Sequence, residues 1–319
     1  MANLARDASA AASALNTTTT EYAKAALIFY QQGLSGSAVS ERADTVIKLA
    51  QVTGQSADLV SDQMTAIWNN FDDGTETLEY YADALTKLGA TTAASTAEIA
   101  TGLSKFAAVA DTVGLSYETA AAAIATVVDK TRESAEVVGT AFKTVFARTQ
   151  SLSLGETLDD GVNLTKYSEA LEKVGVDVLT ADGRLRDMDD ILDDLGDKWD
   201  GLGREAQVAL AQTVGGVRQY NQVMALMNNW EDVEKNIEAA KDAQGELNAQ
   251  HKTWSASYEA SVNKLKKAKD DLYEKLINDE FLIKVNDILR MIIETVSDLI
   301  DRFGGLGGTI TILVGMFSK

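Results

Sequence analysis

Residues 211–230 read AQTVGGVRQYNQVMALMNNW. The glycine pair Gly215 and Gly216 stands just before Arg218, Gln219, Tyr220 and Asn221. These residue types could hold a phosphate, orient a substrate or join two helices. A P-loop needs G-x-x-x-x-G-K-[ST] between a strand and a helix, and this stretch has neither the lysine nor the strand. A dinucleotide fingerprint needs G-x-G-x-x-G after a strand. GLGRE at 201–205 supplies only two of its glycines, after a helical pattern. Two carboxylates could hydrolyse a glycoside, but in so acidic a chain no pair stands out by its spacing. There is no nucleophile elbow and no cysteine, and the one histidine is His251. Disulfides, thiolate nucleophiles and the common structural zinc sites are therefore excluded, and any Ser-His-Asp triad would have to use His251. The expectation is a protein that is not an enzyme, with no catalytic residue, no cofactor and no metal site.

The joint reading fits the stretch better. Residues 206–214 complete one helix, the glycines end it, and a second helix runs from about 217 to 229. Val223, Met224, Leu226, Met227 and Trp230 supply its apolar residues. Arg218, Gln219, Tyr220 and Asn221 then lie in its first turns. Their side chains are free either to bond the preceding hairpin and helix or to meet a partner surface.

The elements that must position this joint are helical. Proline is absent from 319 residues, where ordinary usage of roughly 5% would give about 16. Proline breaks helix interiors, and the abundant alanine favours helices. The expected fold is all-α: an array of helical hairpins with one small β-hairpin near 176–185, then long helices with heptad-like spacing. Residues 1–32 read as one helix, with a polar run at 17–20. Helical patterns follow at about 39–53, 56–70, 75–90, 95–112, 116–131 and 134–149. GQS at 54–56 and GLS at 114–116 each place a helix-ending glycine two residues before a helix-capping serine. Ser95 and Glu98 have capping-box spacing. Residues 48–67 and 105–127 look like two copies of one helix–glycine turn–helix unit. In the helix at 134–149, Val137, Val138, Ala141, Phe142, Val145 and Phe146 form an apolar stripe, with Lys143 and Arg148 off it.

GVDVLTADGRLRD, with its Asp182-Gly183 turn, carries the hairpin signal. The aspartates of DMDDILDDLGDKWDGL raise a calcium site, but EF-hand spacing fails whether Gly183 or Gly74 is placed at the loop glycine. Met188, Ile191, Leu192, Leu195 and Trp199 instead form one helical face, with the acids on the other. From 230 to 302 the pattern is one or two long helices. Trp230, Val233, Ile237, Ala240, Gln244, Leu247, His251, Trp254 and Tyr258 mark a seam in steps of three and four. This places His251 on a packing face. The apolar run at 306–317 is too short for a membrane span of about 20 residues. It reads as a packed last helix or as the start of a hydrophobic region cut off by the chain end. The divisions expected are 1–36 (N-terminal helix), 37–230 (helical domain), 231–303 (coiled-coil-like arm) and 304–319 (apolar segment).

The formal net charge of −19 opposes stable binding to nucleic acid, whose phosphates call for a basic face. No secretory signal is visible at the N-terminus.

Several stretches, in order, resemble the tape measure proteins of long-tailed phages, a minor tail protein family. SAEVVGTAFKTVFARTQ at 134–150 is similar to the family's helix ending in phenylalanine and arginine. GVDVLTADGRLRDMDDILDDLGDKWDGL at 175–202 is similar to its hairpin and acidic, tryptophan-containing helix. GGVRQYNQVMALMNNW at 215–230 is similar to its glycine–arginine–asparagine joint, which would make Gly215, Gly216, Arg218, Gln219, Tyr220 and Asn221 family-motif or partner-contact positions. FYQQGLSGS at 29–37 and AQVTGQSADLVSDQMTAIWNNF at 50–71 also resemble segments of some members. The likeness covers roughly residues 20–230.

The resemblance implies a helical structural protein that sets tail length during tube assembly and is ejected ahead of the DNA. The implied partners are the tail tube protein, tail assembly chaperones and tail tip or distal tail proteins. A homo-oligomer is expected, made in the bacterial host cytoplasm and placed in the virion, in the tail lumen or at its tip. Membrane contact during ejection would fall to the C-terminal hydrophobic region. At about 1.5 Å per helical residue even one continuous helix of this chain would reach only about 480 Å. A domain of a larger tape measure protein is therefore the expectation. The competing reading is a bacterial helical scaffold or secreted interaction protein with a coiled-coil arm.

Overall fold

The computed structural model describes residues 2–276, together with 293–295 and 297–298. The described residues are all-α, without a strand. They fall into two compact units: one is Asp62–Glu246, and the other joins the residues up to Ser61 to those from Leu247 onward.

In the first unit, the part of α4 (Ala57–Phe71) from Asp62 onward leads into α5 (Leu78–Thr91), α6 (Thr96–Thr112), α7 (Tyr117–Thr131) and α8 (Ala135–Ser153). The sequence of α7, YETAAAAIATVVDKT, has small or apolar residues on every face of its middle turns, so a stable fold must enclose it. Ala120 to Ala125, Val127 and Val128 are indeed buried, walled in by α5, α6, α8, α11 (Arg204–Met227) and α12 (Trp230–Lys241). Helices α6 and α8 cross closely, where Gly139 faces the backbone of Gly102. Small residues there let the helices approach until Phe106, Phe142 and Phe146 meet, with centroids 5.7 to 5.9 Å apart. Such a cluster contributes beyond its buried area through edge and offset-stacked contacts.

Helix ends follow the local chemistry. Gly54 and Gly114 take left-handed φ values of 70° and 69° where α3 (Ser37–Thr53) and α6 end, and Ser116 accepts from the Thr119 amide at the start of α7. Both 48–67 and 105–127 are therefore helix, glycine turn, helix. The Ser95–Glu98 box forms in full: the Glu98 amide donates to Ser95 Oγ at 3.3 Å, and the Ser95 amide donates to Glu98 Oε2 at 2.8 Å. Ser95→Ala is expected to cost about 1 kcal/mol, the usual value of an N-cap. Urea unfolding checks this, and an unchanged midpoint would show that the box contributes nothing.

Four expectations need correction. Residues 1–32 are two helices, α1 (Ala2–Ala14) and α2 (Thr19–Gln31). The polar run does more than fray a helix: Asn16 turns left-handed at φ 55°, and Thr18 and Glu21 form a second capping box. The hairpin near 176–185 is a turn with a single antiparallel bridge, Leu179 to Leu185, and no strand. Val176 and Val178 are buried instead as core anchors. On α8, Val137 is 52% exposed, because at about 100° per residue it falls outside the arc shared by the buried Ala135, Val138, Ala141, Phe142, Val145 and Phe146. The seam from Trp230 belongs to separate helices: α12, α13 (Glu246–Trp254) and α14 (Tyr258–Leu276), broken at Gly245 (φ 83°) and again at 255–257. Ala243, not Gln244, takes the buried position, and Tyr258 is exposed. The segment 304–319 lies outside the described residues. No described helix is long and apolar enough to cross a membrane.

The second unit contains α1, α2 and α3 with α13 and α14. Polar contacts tie it together. Tyr22 donates to Asp44 at 2.8 Å. Lys267, 5% exposed, bonds Ser9, Thr19 and Asp271. Gln51 Nε2 donates to the Leu15 carbonyl at 2.7 Å, which turns Gln51 Oε1 toward His251 Nε2, 2.8 Å away. Burial, then the nearby Lys48 charge, lowers the His251 pKa and keeps the ring neutral. His251 is thus a packed, hydrogen-bonded histidine.

Candidate interaction surface

The glycine pair does form a joint. Helix α11 runs through Gly215, which keeps helical geometry, and turns at Gly216, whose φ of 70° and ψ of 171° leave the helix. Arg148 from α8 closes over the turn: a Cβ on Gly216 would lie 3.1 Å from the guanidinium carbon. Arg148 Nη2 donates to Asp160 Oδ2 at 2.7 Å and reaches the Thr213 carbonyl at 3.5 Å. That carbonyl belongs to the last turn before the break, where a helix favours positive charge. Asp160 comes from the loop after α8. Burial opposes its charge, but the bonds from Arg148 and the Val162 amide prevail and hold its pKa below the usual value. The joint is therefore clasped from outside α11 by an arginine–carboxylate pair, 17% and 32% exposed at the side chain.

Past the clasp, side chains split by direction. Gln222 turns inward, 8% exposed, and donates to Glu133 at 2.9 Å. Val223, Leu226, Met227 and Trp230 are buried. Val217 is 70% exposed, and Arg218 and Asn221 are exposed beside it. Gln219 and Tyr220 are half-buried. Among the described residues, Arg218 and Asn221 have no side-chain hydrogen bond or ion pair. Of the six positions named from sequence, Gly215 and Gly216 lie inside the joint, Arg218 and Asn221 form an outward ridge with Val217, and Gln219 and Tyr220 are half-buried. Sequence reasoning missed Arg148 and Asp160 as the clasp. The signal was a lone arginine off the apolar stripe of α8, followed by the acidic loop LDDGVN.

Other clusters with chemical potential prove structural. Tyr81 and Tyr117 pack edge to face at 4.7 Å, and the Tyr117 hydroxyl donates to the Tyr81 carbonyl. Burial raises the pKa of Tyr80, Tyr81 and Tyr117, so all three stay protonated. The acidic face of α10 (Met188–Trp199) turns out as expected, with Met188, Ile191, Leu192, Leu195 and Trp199 buried. Trp199 Nε1 donates to Asn228 at 2.6 Å, tying α10 to the end of α11. Asp189 is the exception among the acids. Burial raises its pKa, although it accepts from the Ser116 amide at 3.0 Å. Asp189, Asp190, Asp193, Glu234 and Glu238 border a groove of about 340 Å³ with Lys241. No group of three or more acidic or histidine side chains among the described residues is placed to hold a metal ion.

A family model described as phage-related minor tail protein matches residues 3–216, ending at the joint itself. No solved structure matches the fold.

Proposed function

The chain belongs to the phage-related minor tail protein family, and we propose that within it the chain is a folded helical domain of a tail tape measure protein. A structural tail role and association with the virion and its other tail proteins follow from the family. The finer reading is a protein that sits in the tail lumen or at its tip and helps set tail length during assembly. It then leaves ahead of the DNA. Its contacts would be the tail tube protein, the assembly chaperones and the tip or distal tail proteins, with further copies of itself alongside. It performs no catalysis, and any membrane contact during ejection falls to the region around 306–317.

The observation that carries a docking role is the ridge at the clasped joint. Val217, Arg218 and Asn221 are presented in the first turns of helix after the clasped joint and make no side-chain bond among the described residues. An exposed apolar residue beside an unpaired arginine suits the centre of a protein interface. The charge of −19 supports sharing a channel with DNA, because it limits adhesion.

The test is the double substitution Val217→Asp with Arg218→Glu in the phage gene. Surface changes of this kind typically alter stability by about 0.5 kcal/mol or less, so the purified chain should unfold as before. Recovery of the protein with other tail components should fall at least about tenfold, as for the loss of about 1.4 kcal/mol of contact. Normal recovery and normal tails would remove the ridge as a contact. In the same phage, in-frame deletion of 62–246 addresses length. Tails shortened in proportion support length-setting by this unit, and tails of unchanged length would exclude it.

A further inference from the structure

Two surfaces of the Asp62–Glu246 unit carry opposite charges that no partner in the unit takes up. One is the ridge. Arg218 is exposed, has no ion pair among the described residues, and stands next to the exposed Val217. The other is the groove of about 340 Å³ bordered by α10 and α12, with the half-buried Ile237 in its lining. Its acids are not equally committed. Asp189 accepts from the Ser116 amide, Asp190 lies 3.9 Å from Arg186, and Glu238 pairs with Lys241 at 3.3 Å. Asp193 of α10 and Glu234 of α12 are both exposed and, among the described residues, have neither a hydrogen bond nor an ion pair. Burial and then the charges of Asp193, Asp197 and Glu231 raise the pKa of Glu234, so like charges crowd around it.

A guanidinium suits these two carboxylates, because its planar fork of donors bonds carboxylate oxygens in pairs. An apolar neighbour beside it would cover Ile237. The ridge presents that combination, an arginine with an exposed valine one residue before it. Within one copy the two surfaces do not meet, since Arg218, Asp193 and Glu234 have no ion pair there. A chain of net charge −19 repels its copies on average, so a contact between copies needs a local match of opposite charge such as this one. We propose that the ridge of one copy docks into the α10–α12 groove of a second copy, with Arg218 against Asp193 and Glu234 and Val217 over Ile237. Ridge and groove are different surfaces, so the contact is head to tail and leaves one of each open for further copies. The inference rests on the ridge being a contact surface and names what it meets.

Sedimentation of the full chain over a series of concentrations tests this. The expected result is self-association that weakens as salt is raised. Arg218→Glu should weaken it at least about tenfold, and so should Asp193→Lys combined with Glu234→Lys. Circular dichroism checks that both variants keep the fold. Mixing the two variants should restore association. The glutamate ridge of one then meets the lysine groove of the other, and the native pair forms in the opposite direction. Three results would overturn the proposal: a wild-type chain that stays monomeric, either variant associating like the wild type, or folded variants that stay apart when mixed. Failure of the ridge itself reads differently. If the chain is monomeric while Val217→Asp with Arg218→Glu still loses the other tail proteins, the ridge remains a contact and only its docking on a second copy falls.

Discussion

Gly139→Ala is expected to destabilise the Asp62–Glu246 unit by about 3 kcal/mol, at the upper end of typical overpacking costs. Helix propensity alone argues the reverse, since alanine is better than glycine inside a helix by about 1 kcal/mol. Geometry decides the sign. A Cβ at Gly139 would lie 2.2 Å from the Gly102 carbonyl oxygen and 2.9 Å from the Gly102 Cα and carbonyl carbon. All three are backbone atoms, so no rotamer change relieves the clash, and α6 and α8 must move apart. That separation opens the Phe106, Phe142 and Phe146 cluster, which is buried almost completely. Gly102→Ala provides the comparison. Its Cβ meets Ile124 side-chain atoms at 2.9 and 3.0 Å and the Ala135 carbonyl at 3.0 Å, so part of its strain can relax and its cost should be smaller. Thermal unfolding reads both. A fall in Tm of about 6 to 12 °C is expected for Gly139→Ala, at about 2 to 4 °C per kcal/mol for a unit of this size. An unchanged or raised Tm would mean that propensity dominates and that the crossing has room to spare.

Gly216→Ala should cost a similar amount, about 3 kcal/mol, by a different route. At φ 70° and ψ 171° the backbone is in a region that essentially only glycine occupies, with a strain of roughly 1 to 3 kcal/mol for other residues. The added methyl would also press on the Arg148 guanidinium at 3.1 Å and loosen its hold on Asp160 and the Thr213 carbonyl. Gly215→Ala separates the two causes. Gly215 is helical, and its Cβ would meet chiefly a Val223 methyl at 2.9 Å, so it lacks the backbone penalty. Urea unfolding should rank Gly216→Ala clearly below Gly215→Ala in stability. Equal effects would show that crowding, and not the turn, makes the second glycine necessary.

Much of this organisation is legible in the sequence because helix signals are local. Serine and glycine punctuation located the ends of α3, α6 and α7 to within a residue or two, and the apolar face of α10 is read correctly at all five positions. The joint at Gly216 was also visible, since two adjacent glycines inside an apolar pattern have few other uses. The features that were missed depend on distance in space. Nothing near Gly216 in the chain announces that Arg148 will cover it, because the pair is made by packing α8 against α11. The Gly102–Gly139 crossing is likewise invisible until α6 and α8 are brought together. The seam from Trp230 misled because steps of three and four continue across a break. Gly245 and the 255–257 turn interrupt the helix without disturbing the apolar spacing. The turn at 176–185 has hairpin chemistry, but its flanks are too short to pair as strands, and burial of Val176 and Val178 uses the apolar residues instead.

This chain is expected to be a structural component of the phage tail, docked on other tail proteins. Cross-linking mass spectrometry of purified virions tests it most directly. Peptides of this chain are expected in the particle, cross-linked to other tail proteins, with links concentrated near the ridge that begins at Val217. A virion preparation with complete tails and no trace of the chain would contradict it.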